Sequence, residues 1–586
     1  MRSRILKAIS LIFLPLIFIA LFLAFLVIKS TNQYRPSIYN YESYLAPTII
    51  NKLKSKYNFK EFKEISEFTQ ALLQDKAIAG IGSDFQAAQL ILDRKIQKID
   101  FSLVYGEKYK DWKERQFLYT PNVREHILRF DALILNILES DKSNKYRNFE
   151  IKKNSEGKPI AFRDKLNNNN KEVWDHFYDY IIPYFTQDKG IAYNINPKTR
   201  PNLNINNAIE KLNKNDKIFS WNEILQILSK NNYTHFGWTH AYLDNMMIGA
   251  FNSGENWEKI FTKKIGDNKI FDFNESNYKL AIDSFINFVK NSTGNDIKNN
   301  KKHYFSGDGL ELLNHLIEPK TSRSDASIMY NGDALDAFYS EDNFQSVESG
   351  LIRFIRPKNT YMLMDNWIIS KSLSKKETTT FLKAIRDHVI NIDKHKNNIQ
   401  NIEKIFFNQF KNNMTKQLKQ SAEASFFETI HNIDKTLKDK LIQEFLKNKE
   451  FFNINEKSTS FEEWNSKKFR EFLKDPTIQE NYEWFLIWRN NYQDHNEAFL
   501  FDDLMSDAFA NSEIGSISNF DYVSYTPTEK IIYDFIKKWY FGSNKVAISI
   551  FDQPESNNNY QVFSYPIIDN NLRTKIITYY YEKTKS

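Results

Sequence analysis

Between residues 37 and 93 the chain switches repeatedly between two hydrophobic periods. Residues 37–41 (SIYNY), 59–62 (FKEF) and 77–81 (AIAGI) read as strands, whereas 46–57, 66–73 and 84–93 carry helical spacing. Strand and helix alternating through short connections predict a parallel, doubly wound sheet covered by helices. No other feature restricts the fold class as much. Ligands of such sheets sit beyond the carboxyl ends of the strands. Those ends carry Tyr41 and Tyr44 after the first strand, and Ser83, Asp84 and Phe85 after the third. Ser83 is also placed to cap the helix that follows.

At 586 residues the chain is too long for one compact core, and its length suggests about three to four domain-sized units. Its hydrophobic content of 41% and aromatic content of 15% suffice for burial. The absence of cysteine excludes disulfides, thiol catalysis, Cys-ligated zinc and the acylated cysteine of a lipoprotein. A net charge of +7 reads as a Lys-rich solvated surface, and no clustered basic-aromatic motif points to nucleic acid. Residues 8–28, between Lys7 and Lys29, are uncharged and long enough to span a bilayer as a helix. With Arg2, Arg4 and Lys7 ahead of it, this run predicts an uncleaved anchor with a cytoplasmic N-terminus, everything beyond Ser30 lying on the outer face. A cleaved signal peptide fits less well, because the apolar region is too long and no small-x-small site precedes Lys29.

Further along, 101–180 mixes helices with polar loops, 190–195 reads as a strand, and 220–229 and 242–251 as helices of a second lobe. A helix is expected over 375–391, and a Lys/Glu/Phe/Asn-rich section of helical periodicity over 396–515. Residues 522–527 and a terminal helix over 572–583 close the chain. The expected organisation is a cytoplasmic tail and anchor (1–30), a first lobe (37–185, with 367–395 returning to it) and a second lobe (186–366). A helical insertion (396–515) and a C-terminal segment completing the lobes (516–586) follow.

Catalytic signatures are missing. There is no GxxxxGK[ST], HExxH or GxSxG, the ten His are scattered, and His235 and His240 fit packing better than metal binding. No enzyme activity and no cofactor are expected. Residues 328–370 are different: two strand-like runs set Tyr330 near Asp333 and Leu363 near Asp365, with a basic turn (Arg353, Arg356, Lys358) between them. A buried carboxylate beside apolar walls is costly unless a cation neutralises it. Aromatic faces suit the methylene stem and charge of an organic ammonium, and carboxylates fix its ends.

In order and spacing the chain resembles the bacterial spermidine/putrescine-binding proteins of ABC importers, a periplasmic-binding-protein-like family. The blocks that carry the likeness are SIYNYESYLAP, GIGSDFQAAQLILDRKIQKID, ASIMYNGDA, YMLMDNWIIS and YTPTEK. The resemblance implies an α/β, two-lobed fold with a hinge, no cofactor, a polyamine-like cation as ligand and ABC permease subunits as partners. It implies ligand contacts from Tyr41, Tyr44, Ser83 and Phe85, stacking by Tyr330, a carboxylate role for Asp365, and a late aromatic contact from Tyr525. Leu363 replaces an aromatic that the family uses, and the second-lobe acidic position falls near His240 and Asp244, with Asp84 and Asp333 available to compensate. A helix N-terminus at Ser83 and Asp84 repels a cation and suits an anion, which keeps other small solutes open. A ligand-less surface interaction protein using the helical insertion is the remaining alternative.

Overall fold

The computed structural model describes residues 19, 21–23, 35–63, 65–166, 172–212, 218–265, 268–391, 398–420, 506–541, 544–557 and 559–585. The expected anchor over 8–28 lies outside the described residues apart from 19 and 21–23, as does most of the expected insertion over 396–515. Among the described residues no helix is long and apolar enough to cross a membrane.

The first strands are β1 (Ser37–Tyr41), β2 (Asn58–Phe62) and β3 (Ala77–Ser83), with β1 parallel to both of the others. Helices Pro47–Leu53, Ile65–Leu73 and Asp84–Leu92 follow them in turn. A hairpin of β4 (Phe149–Lys153) and β5 (Pro159–Asp164) leads to β6 (Ile182–Asn194), all thirteen residues of which are buried. Beyond it come β7 (Phe236–Thr239), the hairpin β8 (Thr262–Ile265) and β9 (Asn268–Phe271), then β10 (His303–Ser306), β11 (Ala326–Tyr330) and β12 (Ile352–Ile355). The last strands are β13 (Asn359–Ile369), β14 (Thr526–Pro527) and β15 (Gln561–Ser564).

The expectation of a parallel sheet holds for β1, β2 and β3 and is corrected for the sheet as a whole. The strand order β10-β7-β11-β6-β13-β3-β1-β2 is mixed, because β13 runs antiparallel to both β3 and β6. β13 follows β12, which pairs with the end of β6, and runs back along β6 toward β3, so no crossover helix is needed to reverse it. Residues 182–188 of β6 pair with β13, while residues 189–194 pair with β11 and β12. Two long strands therefore carry the chain between two lobes.

The hydrophobic cores follow this division. One, including Ile38, Ile81, Phe130 and Trp367, belongs to the first lobe. The second lobe has two: one around Trp238, Phe285 and Tyr580, another around Leu316, Phe406 and Trp539. Ile402, Phe406 and Phe407 from the helix Ile399–Gln420, with Ala508 and Phe509, are part of that last core. Both described ends of the 396–515 section are thus packed into the second lobe. The helix Lys530–Trp539 joins the same core, and the terminal helix Asn570–Lys585 joins the other.

Candidate functional site

The middle of β6 is polar: Thr186, Gln187, Asp188 and Lys189 follow one another and all are buried. Such groups cost stability unless each finds a partner. The Thr186 hydroxyl donates to Gln553 Oε1 at 2.9 Å, and Gln187 Nε2 donates to Asp365 Oδ2 at 3.2 Å. Arg356 pairs with Asp188 through Nη2 and Oδ1 at 3.0 Å. Lys189 Nζ lies 2.9 Å from Asp244 Oδ2 and 3.4 Å from the centroid of the Tyr330 ring. Strand register explains the last contact: Tyr330 of β11 stands opposite Lys189 of β6, so both side chains share a face.

Asp365 of β13 stands opposite Ser83 of β3 and Phe185 of β6, with an irregularity in the β6 register immediately after it. Bulges of this kind re-aim a side chain and recur beside functional sites. The carboxylate is 2% exposed. Its Oδ2 accepts from the Tyr44 hydroxyl at 2.8 Å and from Gln187, while its Oδ1 has no hydrogen-bond partner among the described residues. The hydroxyl of fully buried Ser83 likewise has none. Burial pushes the Asp365 carboxyl up to about 7, opposed by the Tyr44 and Gln187 hydrogen bonds and aided by the nearby charge of Asp84. Among the described residues no ion pair includes Asp365.

Aromatic rings surround this carboxylate. The Tyr44 ring centroid is 5.5 Å from those of Tyr41 and Tyr525, and 5.9 Å from that of Phe185. The Tyr525 hydroxyl donates to Asp333 Oδ1 at 3.1 Å. Burial raises the Asp333 carboxyl, against the charge of Lys189 and the Tyr525 hydrogen bond. Tyr525 approaches so closely because residue 332 is glycine: a Cβ there would meet the ring at 2.2 Å.

On the other side Phe85 stacks on Tyr565, with centroids 5.3 Å apart. The Tyr565 hydroxyl donates to Asp244 Oδ1 at 2.6 Å and lies 2.7 Å from the Tyr330 hydroxyl. Asp84 is held behind this group. Its Oδ2 lies 2.5 Å from His126 Nε2 and accepts the Met364 N–H at 3.0 Å, while its Oδ1 accepts the Phe85 N–H at 2.6 Å. The side-chain cap expected from Ser83 is not made. Asp84 instead accepts the N–H of Phe85, the second residue of the helix, and ties the helix start to β13.

The structure therefore gathers the nine residues singled out in the sequence where β6 and β13 cross between the lobes. Tyr41, Tyr44, Ser83, Asp365, Tyr525 and Asp333 form one group, Phe85 and Tyr330 another, and Asp84 braces β13 behind Asp365. Asp244, weighed in the sequence beside His240, belongs to the second group, whereas His240 packs on Phe305 with centroids 5.7 Å apart. Leu363 is partly buried against a second-lobe core. Sequence reading missed Gln187, Lys189 and Tyr565. The available signal was TQDK set inside the apolar run IIPYFTQDKGIAY, a charged stretch that a buried strand tolerates only with partners. Among the described residues no group of three or more His, Asp or Glu could hold a metal ion.

No family model and no curated protein matches the chain. Solved structures similar to it include the spermidine/putrescine ABC transporter substrate-binding protein of Streptococcus pneumoniae (TM-score 0.35, 11% identity, covering 60% of this chain and 78% of that one). A lipoprotein of Treponema pallidum is similar at TM-score 0.34 and 14% identity, over 60% of this chain and 81% of that one. An ABC transporter solute-binding protein of Thermotoga lettingae bound to α-D-tagatose is similar at TM-score 0.35 and 13% identity, over 61% and 77%. Likenesses this faint transfer no ligand. The two-lobed α/β architecture rests on the strand order and the cores.

Proposed function

We propose that this chain is a membrane-anchored solute-binding protein of an ABC importer, facing outward, whose ligand is a small organic ammonium compound of the polyamine class. One observation carries the reading. Asp365 is buried among Tyr44, Tyr525 and Phe185, has no ion-pair partner among the described residues, and keeps one carboxylate oxygen without a protein donor. A ligand ammonium there would supply the missing charge, and the rings would flank its alkyl stem.

The crossing of β6 and β13 supports a closing motion. A ligand touching Asp365 from the first lobe and Asp333 or Tyr330 from the second would favour the closed arrangement, which a permease could then read. The anchor would keep the protein close to that permease and raise the effective concentration. Titration calorimetry of the full chain with putrescine and with spermidine tests the reading. Saturable heat with either, lost in Asp365→Ala, is expected; no heat with both compounds removes the amine assignment and favours another solute or the ligand-less alternative.

A further inference from the structure

We infer that Lys189 is a built-in occupant of one half of this site, so that the protein reads a single ligand ammonium, at Asp365, and does not recognise a second. The inference rests on the amine reading above and narrows its ligand class.

The surroundings of Lys189 have the parts of an alkylammonium cage. Its Nζ lies 3.4 Å over the Tyr330 ring and 2.9 Å from Asp244, whose other oxygen accepts from Tyr565, and the side chain is 3% exposed. Ring face, carboxylate and exclusion of water are what a free ammonium would need there. The occupant is covalently fixed. Lys189 and Tyr330 are cross-strand partners, so a one-residue slip of β6 would be required to turn the lysine to the other face. A tethered group also holds an effective concentration that dissolved ligand rarely matches. Displacement would leave the lysine charge buried without its counter-ion, which is costly. Asp365 has no such tenant: its neighbours Tyr44 and Gln187 are neutral donors, and among the described residues no ion pair includes it. The three carboxylates are therefore unequal: Asp244 is paired with Lys189, Asp333 takes the Tyr525 hydroxyl and the field of the same lysine, and Asp365 is left for a ligand. A diamine would bind through one end, its second charge directed toward solvent or the lobe boundary.

The test compares putrescine with butylamine, which has the same stem and one ammonium, by titration calorimetry of the full chain. Wild-type affinities should agree within about threefold, since a second recognised charge pair would separate them by tenfold or more. Lys189→Met should favour putrescine over butylamine by about tenfold or more by freeing Asp244, and Lys189→Met with Asp244→Asn should lose that gain. A wild-type preference for putrescine of about tenfold or more overturns the inference while leaving the amine reading intact. So does a Lys189→Met protein that melts cooperatively and shows an unchanged ratio. If that variant does not fold, the wild-type ratio decides alone. Absence of binding by either amine to the wild type removes the amine reading, and this inference with it.

Discussion

Asp244 and Asp365 are nearly matched in their immediate surroundings and opposite in their electrostatics. They are 3% and 2% exposed, and each accepts a tyrosine hydroxyl, at 2.6 Å from Tyr565 and 2.8 Å from Tyr44. Asp244 also has the Lys189 ammonium at 2.9 Å, as Asp188 has Arg356. Among the described residues Asp365 has no cation. Burial of a carboxylate beside aromatic rings is thus not itself a sign of ligand binding, because the same surroundings serve an internal ion pair. What separates the two sites is whether the chain supplies the counter-charge.

That contrast predicts opposite responses to mutation. Asp244→Asn leaves Lys189 buried without its counter-ion and should cost about 3–5 kcal/mol of folding stability, read from urea unfolding. A variant as stable as the parent would mean that Lys189 reaches solvent, and the contrast would collapse. Asp365→Ala should lose about 2–5 kcal/mol of ligand affinity by calorimetry if the carboxylate holds a desolvated ammonium. Its stability loss at neutral pH should be smaller than that of Asp244→Asn, because removing an uncompensated buried charge offsets part of the cost of leaving the Tyr44 and Gln187 donors unpaired. A drop in stability without a drop in affinity would make Asp365 structural, like Asp244.

The first group of elements was legible because local period and tertiary role agree there. The strand read over 37–41 and the helix read over 242–251 have the bounds observed, and β2, β3 and their helices differ by a few residues. β6 was not legible as one strand. Its polar middle interrupts the apolar run, and the groups that make that middle affordable (Asp244, Asp365, Arg356 and Gln553) are far away in the chain. Asp365 stood out because a carboxylate within an apolar strand is conspicuous by itself. Lys189 was hidden because its meaning depends on the β6–β11 register and on a helix residue, neither of which local sequence reveals. Ser83 illustrates the same limit: it occupies the N-cap position, yet Asp84 makes the bond that was expected of it.

A smaller perturbation sharpens the aromatic side of the comparison. Gly332→Ala would drive a Cβ into the Tyr525 ring, and overpacking of this kind costs about 1–3 kcal/mol. The ring should shift from Asp333 and from Tyr44, weakening amine binding while leaving the Lys189–Asp244 pair in place. Calorimetry beside a melt separates the two effects; unchanged affinity would take Tyr525 out of the site.

The subtlest difference is in the response to pH. The Asp365 carboxyl is raised from its ordinary 3.8 to about 7 by burial, so between those values the folded protein holds a proton that the unfolded chain has released. Its contribution to stability is fully present below about 3.8 and is lost as pH rises toward 7, by at most about 1.4 kcal/mol per unit. Asp365→Asn should flatten that slope in unfolding measured across the window. Ligand binding must run the other way, because an ammonium pairs with the ionised carboxylate. Affinity should fall about tenfold per unit below pH 7, and binding near pH 6 should release about one proton, detected as heat that changes with the ionisation enthalpy of the buffer. Affinity independent of pH through this range would mean that the ligand's charge is met elsewhere than at Asp365, and the site would have to be redrawn around a different carboxylate.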